Sequence, residues 1–162
     1  MSVTTDIVQA WRQPKAVMRR HLQRPKSEPF AFSLLVAFLL LAFVSLWPFL
    51  SRQTVLQPEV PMVQRLVASG LALLALVPFF YLLAAVSHWI AKAMRGQGSY
   101  FSARLALFSS LLAVTPGMLL QGLVAGMIGP GLQANLVAVV VGLGFLWIWI
   151  SMLREAGRGD AG

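Results

Sequence analysis

"FAFSLLVAFLLLAFVSLWPFL", residues 30–50, contains no charged side chain. Roughly 20 apolar residues in a helix are enough to cross the ~30 Å hydrocarbon core of a bilayer. Lipid offers no partner to backbone N–H and C=O groups, so a lone crossing segment must bond within itself, as a helix does. The stretch therefore predicts a transmembrane helix, and it sets the class of the whole chain. Three further blocks follow at about 66–93, 101–128 and 132–153. The second is interrupted by Pro78 and the third contains Pro116 and Gly117. Both are longer than a crossing requires, which predicts tilt or a kink at the prolines. Nearby Ser and Thr can satisfy the carbonyls that proline frees. The expected fold is an all-α integral membrane protein with four transmembrane helices.

Composition agrees. Of 162 residues, 58% are hydrophobic and 11% charged, well under the ~25% charged of an ordinary soluble domain. The polar stretch before Phe30 is long and holds Pro14, Pro25 and Pro29. That favours a retained first span over a cleaved signal peptide.

Basic residues in short flanks fix the expected orientation. Arg12, Lys15, Arg19, Arg20, Arg24 and Lys26 precede the first span; Lys92, Arg95 and Arg104 lie around the second connection; Arg154 and Arg158 follow the last. Only Arg52 and Arg65 fall on the other side. Eleven against two places both termini in the cytoplasm. The chain then divides into a cytoplasmic basic segment (1–29), a membrane domain (30–153) and a cytoplasmic tail (154–162). The net charge of +8 is accounted for by this asymmetry and by attraction to anionic cytoplasmic lipid. No separate basic domain remains to bind nucleic acid.

In the first segment Ile7, Trp11, Met18 and Leu22 recur at helical spacing, with Arg12, Lys15, Arg19 and Arg20 largely elsewhere. Gln13-Pro14 divides it, because Pro suits a first helical turn. The expectation is two short amphipathic helices lying in the cytoplasmic interface, with Trp11 at headgroup depth.

Several kinds of chemistry lack their residues. There is no Cys, hence no disulfide, thiolate-held metal or iron–sulfur cluster. His21 and His88 have no ligand-spaced partners, so neither a metal nor a cofactor is expected. The five acids, Asp6, Glu28, Glu59, Glu155 and Asp160, all lie outside the expected spans. Ion-coupled transport normally buries carboxylates near the midplane, and an intramembrane hydrolase needs a nucleophile with its base. Neither set is present, so no catalytic residue is named.

Small residues are the stronger signal. Gly122 with Gly126 and Ala125 with Gly129, at the end of the third block, and Ala138 with Gly142 in the fourth, have the four-residue spacing that lets helix backbones approach. They are read as helix-packing positions. Antiparallel packing of the third and fourth spans is favoured because their connection is short; self-association is the other reading.

The turn "RGQGSYFSAR" (95–104) lacks the third glycine of a dinucleotide loop and follows a helix, not a strand. It reads as a corner with Ser99 or Ser102 capping the next helix. Trp11, Arg19, Arg20, Lys92, Arg95, Ser99, Tyr100 and Arg104 form the candidate contact set for a lipid headgroup or a partner. "RGQGSYFSARLALFSSLLAVTPGMLL" (95–120) resembles the core of the Yip (Ypt-interacting protein) membrane domain: a glycine-rich turn, an apolar helix, then a mid-helix proline. "WRQPKAVMRRHL" (11–22) is similar to the segment before the first span in bacterial members. The five spans and the "DLYGP"-type motif of eukaryotic members are absent, so Rab-type GTPase binding is not carried over. The resemblance implies a small, non-enzymatic bacterial inner-membrane protein.

The functional expectation is a polytopic protein that organises or accompanies other membrane components. It would do so through a basic cytoplasmic face and small-residue packing, with anionic lipids and a membrane-protein partner or second copy as contacts. The alternative is a transporter or channel for a small neutral or lipidic solute, its path lined by Thr115 and Gln121.

Overall fold

A computed structural model describes residues 3–93 and 96–159, all helices and connections, with no strand among them. The helices are α1 (Val3–Arg12), α2 (Pro14–Leu22), α3 (Glu28–Leu56), α4 (Met62–Ala75), α5 (Val77–Ala93), α6 (Tyr100–Ala113), α7 (Thr115–Met127) and α8 (Leu132–Gly159). Three helical stretches are long and apolar enough to cross a membrane: α3, the continuous α4–α5 pair and α8. A fourth exists if α6 and α7, bent by 41° at Val114, count as one span.

Local chemistry explains the boundaries. Ser27 caps α3, its Oγ accepting from the Phe30 amide at 3.4 Å, and Pro29 stands in the first turn. Ser99 caps α6, accepting from the Ser102 amide at 3.2 Å. The α6–α7 bend follows from Pro116, whose missing N–H leaves the Leu112 carbonyl without its usual donor. Thr115 Oγ1 donates to that carbonyl at 2.8 Å, so it keeps a donor. At the far end Gly129 has φ of +103°, a value only glycine takes cheaply. It makes the corner into α8 with the Arg52 guanidinium over it.

Helix α6 is the axis of the molecule. From Ser102 to Thr115 every residue except Arg104 is buried, enclosed by α3, α5, α8 and the N-terminal helices. Its Phe108, Leu105 and Leu107 are wholly inaccessible and meet Leu35 and Phe38 of α3 and Ile148 and Met152 of α8 in one core. By contrast α4 buries no residue.

Two expectations change. The glycine face of the third block meets α3 instead of α8. A Cβ on Gly122 would lie 1.8 Å from Ser45 O, and one on Gly126 would lie 2.5 Å from Pro48 Cβ. Gly122, Gly126 and Gly129 recur at four and three residues and so share one face, and the short connection to α8 fixes proximity but not which way that face turns. Gly117 instead meets Val141 of α8, Ala138 is half-buried, and Gly142 has nothing within 4 Å of its would-be Cβ. The second change concerns what covers the apolar face of α1 and α2. They fold into an antiparallel hairpin docked on α6 and α8. Apolar periodicity marks the face that must be covered, and here protein covers it.

Candidate functional site at the basic end of the bundle

The break between α1 and α2 falls at Gln13, with Pro14 opening α2. The hairpin buries Ala10, Pro14, Val17, Met18 and His21. Its far tip is pinned by Trp11, whose indole Nε1 donates to Ala113 O at 2.8 Å while its ring fills the space that Gly144 of α8 leaves. Its open end is pinned by charge. Arg20 reaches Asp6 Oδ1 at 3.1 Å and Gln9 Oε1 at 2.6 Å, and Arg19 reaches Glu155 Oε1 at 2.5 Å. Glu155 is buried and its other oxygen has no partner, whereas the Arg19 side chain is 65% exposed, so this bond is screened on one side only.

Around the second connection the candidate residues are mostly occupied by one another. Arg104 pairs with Glu28 at 2.5 Å and lies over the Tyr81 ring. The Tyr100 ring meets the His88 ring at a tilt, with centroids 3.9 Å apart, and its hydroxyl accepts from Trp89 Nε1 at 2.6 Å. The Gln97 amide donates to Gly157 O at 3.1 Å, fastening the turn to the end of α8. Lys92 is exposed, and Arg95 lies outside the described residues. The turn is therefore a cap and a tie, and of the candidate set Lys92 alone projects freely among the described residues.

Sequence reasoning missed two cavities that the hairpin creates. One, of about 170 Å³, lies between the hairpin, α3 and α6; Asp6, His21 and Arg24 line its charged end and Leu34, Leu112 and Ala113 its apolar end. His21 is 5% exposed and neither ring nitrogen has a hydrogen-bond partner. Its Nε2 stands 3.6 Å from Asp6 Oδ2, close enough for attraction but too far for a hydrogen bond. Burial pushes the His21 pKa below the ordinary imidazole value, Arg24 and Arg20 push the same way, and Asp6 opposes them. Ser109 lines the same cavity with an unpartnered Oγ. Ser, His and Asp thus share one cavity without the hydrogen bonds that would join nucleophile to base, and Asp6 is committed to Arg20. The signal for His21 was available: it stands three and four residues after Met18 and Val17, on the apolar face.

The second cavity, about 470 Å³, opens between α2 and α8, lined by Arg12, Gln13, Lys15, Arg19, Trp147 and Ser151 among others. Among the described residues no group of His, Cys, Asp and Glu could hold a metal ion.

The Yip1 domain profile matches residues 8–161, so the match takes in most of the hairpin as well as the spans. No curated protein and no solved structure matches the chain. The matched residues hold most of the docked hairpin, the glycine-cornered turn and the proline-bent helix behind it, and the chain belongs to the Yip1 domain family of membrane proteins.

Proposed function

We propose that this protein is a non-enzymatic, four-span component of a bacterial cytoplasmic membrane that holds other membrane components beside it. In this reading α6 and α7 form one bent span and both termini face the cytoplasm, as eleven of thirteen basic residues favour. The basic end then faces anionic lipid. One observation carries the partner-organising role. The span Met62–Ala93 buries only 6% of its most apolar window inside the protein. Its outer side presents Ala68, Ala72 and Ala75 between larger apolar residues, all exposed. Small residues at that spacing let a second membrane helix approach closely.

A solute path has less to support it. Thr115 is buried and its hydroxyl is spent on Leu112 O, and Gln121 has no polar partner beside it in a described cavity.

The test is photo-crosslinking in the native membrane from positions 68, 72 and 75, with Val139 on α8 as comparison, followed by mass spectrometry. Adducts with one defined protein from the α4 positions and not from Val139 support the role. Equal, diffuse labelling from all four positions would remove it.

A further inference from the structure

The cavity between α2 and α8 has properties that the proposed function does not use. Arg12 and Lys15 are exposed and make no hydrogen bond or ion pair with any described residue. Every other charge on the hairpin's inner side is matched: Arg19 by Glu155 and Arg20 by Asp6. No carboxylate lines this cavity. It also holds two hydrogen-bonding groups, the Gln13 amide and the Ser151 hydroxyl.

Its position is unusual for cations. Trp147 and Ser151 belong to the charge-free stretch of α8 from Leu132 to Leu153. They precede Arg154, the first charge after that stretch, by seven and three residues, about 10 and 5 Å along the helix. Arg12 and Lys15 thus share a cavity with the last apolar turns of α8. An unpaired cation there is costly; it is relieved when the side chain snorkels and a headgroup anion comes to meet it. From the cavity an exposed apolar stripe runs away from Arg154 along α8, through Ile150, Trp147, Leu143, Val140 and Leu136. The steps of three and four residues keep these side chains on one face.

We propose that this notch is a binding site for one anionic diacyl phospholipid. Arg12 and Lys15 hold the phosphate, Arg presenting its planar fork of donors and Lys a point charge. Gln13 and Ser151 hydrogen-bond the headgroup, and the acyl chains lie along the α8 stripe. The continuity of cation pocket with apolar track selects a phospholipid over free phosphate, which has no use for the track. The inference rests on the reading that this end of the bundle faces an anionic leaflet.

The test titrates the detergent-purified full chain with phosphatidylglycerol or phosphatidylcholine and counts bound lipid by native mass spectrometry. Three proteins are compared: the unaltered chain, Arg12→Gln/Lys15→Gln, and Lys26→Gln/Arg158→Gln, which removes two exposed charges elsewhere. Because Arg12 and Lys15 hold nothing in the fold, their loss leaves the bundle intact. Each cation near an anionic surface contributes about fivefold in binding, so the first double variant is expected to bind phosphatidylglycerol roughly 25-fold more weakly. The second is expected to match the unaltered chain. Equal weakening by both double variants means diffuse attraction; it overturns the site and leaves the anionic-leaflet reading standing. An unaltered chain that does not prefer phosphatidylglycerol overturns both. Complete displacement of phosphatidylglycerol by inorganic phosphate marks a free-phosphate pocket and also overturns the proposal.

Discussion

Replacing Gly122 with alanine adds one methyl group where α7 crosses α3. Its Cβ would stand 1.8 Å from the Ser45 carbonyl oxygen, while real Cβ atoms do not come nearer than about 3.0 Å to such a neighbour. The obstacle is backbone, so no side chain can swing aside. Helix α7 must back away by the difference, about 1.2 Å. A radial gap of even 0.5–1 Å already forfeits about a quarter to a half of each contact's attraction, and the seam continues through Gly126 against Pro48. Overpacking costs about 1–3 kcal/mol; alanine's better helix propensity returns about 0.5–1 kcal/mol. The net is a loss of about 1 kcal/mol. The same substitution at Gly142 meets nothing within 4 Å and should be neutral or slightly stabilising. Unfolding of the two variants in mixed dodecylsulfate micelles, followed by tryptophan fluorescence, should therefore place Gly122→Ala below the unaltered protein and Gly142→Ala level with or above it. If the two unfold at the same detergent fraction, α3 and α7 are not in backbone contact and the reasoning fails.

Three further outcomes follow from the hairpin and the bend. The His21 pKa is depressed in the docked hairpin, so the released form takes up the proton more readily. Docking stability is then complete above about pH 6.5, declines as pH falls below that value, and levels off beneath the depressed pKa. Protection against hydrogen exchange at residues 4–22, taken relative to the intrinsic rate at each pH, should fall on acidification from pH 7 to 5, and His21→Leu should remove that dependence; an unchanged profile of protection in the variant would count against it. Trp11→Phe loses both the bond to Ala113 O and the outer indole ring that lies over Gly144, a change of at least about 1 kcal/mol that should raise hairpin exchange several-fold or more while α3 and α8 stay protected. Thr115→Val deprives Leu112 O of the donor that replaces the missing Pro116 N–H. It should lower stability by about 1 kcal/mol, near the typical worth of such a bond between membrane helices, and Thr115→Ser should restore most of it in the same micelle assay.

Much of the architecture could be read from the sequence because lipid leaves the backbone few options. The apolar block at 30–50 became the central part of α3, and the block at 101–128 became α6 and α7 with its break beside Pro116. What periodicity cannot tell is who covers an apolar face, since lipid and protein are equally apolar neighbours. That is why Ile7, Trp11 and Met18 announced an amphipathic segment but not a hairpin seated on α6. The same ambiguity hid the partner of Gly122 and Gly126, whose spacing permits close approach without naming a helix. The buried polar groups were harder still. Ser109 is one serine among several in an apolar helix, and Glu155 lies in a basic tail; their burial depends on residues over a hundred positions away.

The seat of the hairpin is assembled from distant parts of the chain. Residues 3–22 are made before α6 and α8, yet Trp11 needs Ala113 and Gly144, and Arg19 needs Glu155. The hairpin, basic as a whole, must therefore wait unseated while more than a hundred residues enter the membrane. Its closure reports that the last span has arrived. A lesion near Glu155 would be felt first at Trp11, and a chain stopped before α8 would leave its own beginning unfastened.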